Sequence, residues 1–113
     1  RYLKPIKVYS GEHMKQIKPD YKFNEGALIE ELQQYIDSTY GQHYGQGGLQ
    51  SSEVIIDRGH GMGFFLGNVD KYNARYGKKG ETPEEYRKDL MKVLHYGLLA
   101  LYEHDRTYYI EKN

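Results

Sequence analysis

The residues best placed to do chemistry are cationic and lie close together. Lys71 and Arg75 are four apart, with Asn68 one turn before them and Lys78 and Lys79 just beyond. On a helix, like charges at this spacing repel and destabilise mildly. A compensating anion is therefore expected beside them. A phosphate is one candidate, and the acidic stretch earlier in the chain is another. Arg suits bidentate phosphate contact, while Lys supplies a mobile point charge.

A second pair is acidic. Glu53 and Asp57 are also four apart. If their segment is helical, both carboxylates leave one face. They could then hold Mg²⁺, which keeps several waters and bridges to phosphates, or act as base and partner. The plain alternative is a solvated acidic face. Of the five histidines, His43 lies in a glycine-rich stretch beside Tyr44, and His60 stands between Gly59 and Gly61. Loop positions favour function. His95, on an apolar face, is expected to be a packed residue with a satisfied ring. No zinc spacing such as H-E-x-x-H occurs.

The familiar phosphate loops are absent. A P-loop ending at Gly77-Lys78 would need glycine where Tyr72 stands and a hydroxyl where Lys79 stands. A dinucleotide fingerprint starting at Gly61 and Gly63 fails at Leu66. The glycines are expected to serve tight turns or close backbone approach.

The elements that must position these groups follow from spacing. Residues 24–39 read as a helix, with Asn24 as N-cap, Phe23 and Leu28 as a hydrophobic staple, and Gly41 as its end. Leu28, Leu32, Tyr35, Ile36 and Thr39 form its inward face. "GQHYGQGGLQSS" reads as a loop, with Ser51 or Ser52 capping a short helix or strand over 52–58. Residues 64–76 return to helical spacing: Phe65, Val69, Tyr72 and Tyr76 make an apolar stripe beside the polar one. "TPEE" at 82–85 is a capping box with Pro83 at the first helical position. The helix it opens has a wide apolar face of Tyr86, Leu90, Val93, Leu94, Gly97, Leu98 and Leu101. A face that wide suits a central or interface helix, and Gly97 invites close packing.

The expected fold is mainly α, with three to four helices around one small core (24–113). An extended N-terminal arm (1–23) precedes it, with a short strand near Ile6 and Val8. The tail "RTYYIEKN" is expected to be a short strand or arm. One domain suits 113 residues. Sixteen basic residues balance sixteen acidic ones, which argues against a nucleic-acid coat. The balance is uneven: residues 24–57 hold no Lys or Arg, whereas 68–80 hold four cations and one acid. The chain has no cysteine, which removes disulfides and thiolate chemistry. No apolar run approaches a membrane span. A cytoplasmic setting is the expectation. Thirteen tyrosines suit half-buried surfaces and subunit contacts. A homo-oligomer is expected from the apolar face and Gly97.

The order of His43-Tyr44, "EVIID" (53–57), "GNVDKYNARYGKKG" (67–80) and "RKDLMKVLHY" (87–96) resembles the SaV-like family of small phage proteins. Members show an HY pair, a G-N-x-x-K-Y-x-x-R-x-G-x-K-G core and a D-L-x-K-A-x-x-Y-L helix. This chain departs at Val93 and Gly97. The domain also occurs in an unorthodox phage deoxynucleoside monophosphate kinase without a P-loop. The resemblance implies nucleotide handling, and most concretely phosphoryl transfer from ATP with Mg²⁺. Lys71, Arg75 and Lys79 would hold phosphates, Glu53 and Asp57 would hold Mg²⁺ or orient the acceptor, and Asn68 would bond a phosphate or cap backbone. Two other readings stand beside it. One is a non-catalytic module that binds or sequesters a nucleotide. The other is an interaction protein that meets a host protein through its tyrosines.

Overall fold

The computed structural model describes residues 19–43 and 48–109. Among these there are four helices and no strand: α1 (Glu25–His43), α2 (Gly48–Asp57), α3 (Gly61–Arg75) and α4 (Pro83–Tyr108). The strand expected near Ile6, Tyr44, and the last residues of the tail lie outside the described residues. No described helix is long and apolar enough to cross a membrane.

The centre of the fold is an antiparallel pair. Arg75 at the end of α3 meets Asp89 near the start of α4. Gly61 at the start of α3 meets Glu103 near the end of α4. Between them runs an aromatic column: Phe65 and Phe64 against Tyr96, and Tyr72 stacked on Tyr96 at 5.9 Å and 10°. Phe65 is wholly buried and Ala100 nearly so. The expected apolar stripe of α3 is therefore graded. Val69 and Tyr72 are half-buried, and Tyr76 is 48% exposed against Tyr86.

The start of α4 follows its local signal. Glu85 N–H donates to the Thr82 hydroxyl at 3.2 Å, and the Glu85 carboxylate accepts from Thr82 N–H at 3.2 Å. Pro83 sits where no backbone donor is needed. Thr82→Ala is expected to lower stability by about 1 kcal/mol. A urea midpoint unchanged from the parent would contradict that role.

Several expectations are corrected. Gly41 does not end α1, which continues to His43. The glycine-rich loop shrinks because α2 already begins at Gly48, which places Ser51 and Ser52 inside that helix. The segment 52–58 resolves as helix through Asp57. Gly59 (φ +86°) supplies the break after it, whereas Gly63 lies inside α3. The start of α1 also differs. Asn24 is left-handed at φ 61°, its carbonyl accepts from Leu28 N–H at 3.0 Å, and the Glu25 carboxylate accepts from Phe23 N–H at 2.9 Å just ahead of the helix. Phe23 is 77% exposed, so it clamps nothing. The tail remains helical to Tyr108 instead of leaving as an arm.

The largest correction concerns the wide apolar face of α4. The side against α3 presents Asp89 and Glu103, both buried, with Tyr96 and Ala100 between them. Leu90, Leu94, Leu98 and Leu101 are exposed. Buried carboxylates survive there because cations reach them: Arg75 from α3, and Arg106 at 2.8 Å from Glu103.

Helix α1 lies against α4, with side-chain contacts at Arg87 and at His95. Arg87 forms a bidentate pair with Glu31, and the His95 ring meets Tyr35 edge-on at 5.7 Å. His95 is packed, as expected, but by ring contacts with Tyr35 and Tyr96. Burial first, and the Lys92 charge second, lower its pKa below 6.5. The unfolded chain keeps the ordinary value, so it takes up a proton that the folded chain refuses. The contribution of the neutral ring is complete above 6.5 and shrinks as pH falls towards the lower folded value. The melting temperature is therefore expected to fall as the pH drops through about 6.5. His95→Gln should flatten that slope, and an equal slope in the variant would assign the effect elsewhere.

Candidate phosphate-binding site

At the far end of the α3–α4 pair the turn 76–82 folds back over α4. Gly77 (φ 77°) and Gly80 (φ 95°) make the reversal. A Cβ on Gly80 would lie 2.9 Å from the Glu85 Cβ, so this position needs glycine for space as well as for conformation. The reversal brings Lys79 opposite Lys88 and Lys92, and an open cavity of about 230 Å³ lies between them. Four cations line it: Arg75, Lys79, Lys88 and Lys92.

Two acids line it as well, and both are engaged. The Glu85 carboxylate accepts from Glu81 N–H at 3.0 Å and from the backbone and hydroxyl of Thr82 at 3.2 Å. These bonds, that from Glu81 first, hold it below the usual carboxylate range. Asp89 is 2% exposed and faces Arg75, with Nε 3.4 Å from its Oδ1. That pair is loose. Arg75 Nε and Asp89 Oδ2 are both buried without a hydrogen-bond partner. The charges attract without the directional bonds that would lock them.

Tyr72 gathers the cations from beneath. Lys71 Nζ lies 4.6 Å from its ring centre, Arg75 Cζ 5.0 Å and Lys92 Nζ 5.5 Å. A tyrosine face attracts each of them modestly. Three cations around one ring still repel one another, so an added anion is favoured there.

The structure sorts the sequence-derived candidates. Arg75 and Lys79 reach the cavity. Lys71 lies over Tyr72 beside it. Lys78 is exposed on the turn, its backbone N–H donating to Arg75 O at 2.9 Å. Asn68 Nδ2 donates to Phe64 O at 2.9 Å, a back-bond within α3. His43 is the last residue of α1. Glu53 is exposed on α2, Asp57 ends that helix, and the exposed His60 is the N-cap residue of α3 without a side-chain cap bond. Asp57 and His60 thus lie at the N-terminal end of α3, and Arg75 at its C-terminal end. At 1.5 Å per residue that is about 21 Å. Among the described residues no three His, Cys, Asp or Glu side chains gather to hold a metal ion.

The N-terminal end of α3 has its own anion. A Cβ at Gly61 would stand 2.9 Å from Glu103 Oε2 and 3.2 Å from Ile56 Cγ1. The buried carboxylate therefore rests against the positive end of the helix, held by Arg106 at 2.8 and 3.2 Å. Asp57 adds to the field on Arg106. This explains the glycine at 61: it is a close approach, not a nucleotide loop. Gly61→Ala is expected to cost about 1–3 kcal/mol by overpacking. Chemical denaturation checks this, with Gly63→Ala, which meets nothing within 4 Å, as the milder comparison.

Sequence reasoning missed Lys88, Asp89 and Lys92. A signal was present: Lys88 and Lys92 repeat the four-residue cationic spacing of Lys71 and Arg75. Asp89 gave none, because its role depends on the approach of α3.

A family model described as a protein of unknown function (DUF3310) matches residues 38–97. The chain belongs to the DUF3310 family. No curated protein and no solved structure matches it. The DUF3310 match runs from the end of α1 through α2 and α3 to Gly97 in α4. It therefore contains every residue lining the cavity. Glu103 and Arg106 fall outside the DUF3310 span.

Proposed function

We propose that this DUF3310 protein binds a phosphorylated small molecule, most concretely a nucleotide, with its phosphate in the cavity between Lys79, Lys88 and Lys92. One observation carries the reading. Four cations line the cavity, while one of its acids is spent on a helix cap and the other is buried. At about 230 Å³ the cavity is smaller than the roughly 300–1,000 Å³ that encloses a drug-sized ligand. It suits a phosphate group, with the nucleoside resting on the open surface beside Tyr72 and Tyr76. The resemblance to SaV-like phage proteins, and to a domain of a P-loop-free deoxynucleoside monophosphate kinase, points the same way.

Binding without turnover is the better-supported form. The carboxylates assigned to catalysis, Glu53 and Asp57, are on α2, and Asp57 and His60 precede the N-terminal end of α3, whose length of about 21 Å separates that end from Arg75. Phosphoryl transfer needs acceptor, metal and phosphate in one place. In this reading Mg²⁺ arrives on the phosphate oxygens of ATP or another nucleotide with its waters. A host-protein contact is the remaining alternative.

The test is a thermal-shift series with inorganic phosphate, triphosphate, and nucleoside mono-, di- and triphosphates, beside an assay of dNMP conversion by ATP and Mg²⁺. Stabilisation that grows with phosphate number, without turnover, is the expected result. Turnover abolished by Lys71→Ala or Arg75→Ala would establish the kinase instead. No shift with any phosphate would remove the nucleotide reading.

A further inference from the structure

Helix α4 turns its leucines away from α3, beside the Arg87–Glu31 contact with α1. At about 100° per residue, Leu90, Leu94, Leu98 and Leu101 fall on one stripe. They are 41%, 49%, 43% and 57% exposed. The opposite side, packed on α3, holds Asp89 and Glu103. Among the described residues the buried apolar set is Phe65 and Ala100. A chain that buries two carboxylates and leaves four leucines of its longest helix in solvent has apolar surface still to cover. Gly97 lies within the stripe, with nothing within 4 Å of where its Cβ would be.

We infer that this stripe is the contact surface between two copies of the chain, with α4 packed antiparallel against α4 of the second copy. The pattern is self-complementary, as a two-fold contact requires. If Leu90 meets the second copy's Leu101, then Leu94 falls over the second copy's Gly97. The same two contacts recur on the other side of the axis. The gap at Gly97 receives a leucine each time, a neighbour that the described residues of its own chain do not supply.

Charge selects the direction. Arg87 stands at one end of the stripe and Asp105 at the other. Arg87 remains 49% exposed although it pairs with Glu31. Antiparallel packing brings Arg87 beside the second copy's Asp105. Parallel packing would set Arg87 against Arg87 and Asp105 against Asp105, and such like-charge contacts are penalised. The cationic cavity uses Lys88, Asp89 and Lys92, which project from the side of α4 away from the stripe. Pairing therefore leaves both cavities open, and the dimer and the phosphate site stand or fall separately.

The chain has no cysteine, so introduced thiols report without background. Light scattering on the full chain at micromolar concentration is expected to give twice the 13.3 kDa chain mass. Leu94→Glu with Leu98→Glu should halve it while leaving the thermal shift with triphosphate in place. Where that variant fails to fold, cross-linking decides. A mixture of Leu90→Cys and Leu101→Cys chains should form the mixed disulfide under mild oxidation, and Leu90→Cys alone should not. A single-chain mass at every concentration overturns the inference. So does a Leu90→Cys chain that cross-links to itself, or a partner of another kind captured by a chain that stays monomeric.

Discussion

Replacing Lys79 and Lys88 together by alanine is expected to weaken triphosphate binding by about a hundredfold. Each lysine offers one charge-assisted contact, worth about 1.5–3 kcal/mol when made to an anion. A factor of ten per lysine is the lower end of that range. The two come from different elements, Lys79 from the turn and Lys88 from α4, so their losses should nearly add. Both are exposed, and the fold does not depend on them. Arg75 is a poorer choice for this measurement, because its removal would leave the buried Asp89 without a counter-charge. Titration calorimetry at two salt concentrations checks the prediction. The parent affinity should fall steeply with salt and that of the double variant much less. Lys22→Ala, an exposed lysine ahead of α1, should bind like the parent. Equal affinity in the double variant would place the anion elsewhere.

Phe65→Ala is expected to cost about 3–5 kcal/mol of stability. Phe65 is the one wholly buried large side chain among the described residues, set between Phe64 and Tyr96. Domains of this kind have about 5–15 kcal/mol in total, so the substitution consumes a large share of it. The loss comes from the transfer free energy of the ring and from the cavity left in a column that Tyr72 and Tyr96 cannot close. Urea unfolding should show a much lower midpoint at an unchanged slope. Phe64→Ala, where the ring is 36% exposed, should cost clearly less. Parity between the two variants would mean that the α3–α4 column is not the stabilising core.

What was legible in the chain follows the range of the forces involved. The capping box at Thr82 and Glu85 is local, and it stands as written. The placement of Phe65 towards the core needs only helical spacing, and it holds too. Gly41 shows where a local rule yields: a glycine can end a helix, but α1 propagates two residues past it. The α4 face shows a deeper reason. Periodicity finds a leucine stripe, but it cannot say whether the stripe faces the chain's own interior or outwards. The answer depended on Arg75 of α3 reaching Asp89, a contact between helices made in the folded state, while the local Glu103–Arg106 pair gave no sign by itself that Glu103 would be buried. The candidate site divides in the same way. Arg75 and Lys79 were readable from spacing within one segment. Lys88, Lys92 and Asp89 join them only because α4 returns alongside α3. Asp57 and His60 are close to Arg75 in sequence but a helix length away in space.

The loose pairing of Arg75 with Asp89 bears on how long a ligand would stay. An anion departing from the cavity leaves no stranded guanidinium, since Asp89 Oδ1 stands 3.4 Å from Arg75 Nε as a ready replacement. An incoming anion need not break directional bonds, because that pair has none at Nε or Oδ2. Exchange is thereby eased in both directions. If the cavity takes a nucleotide phosphate as proposed, short residence times are the expected result, and occupancy would follow the changing concentration of the pool.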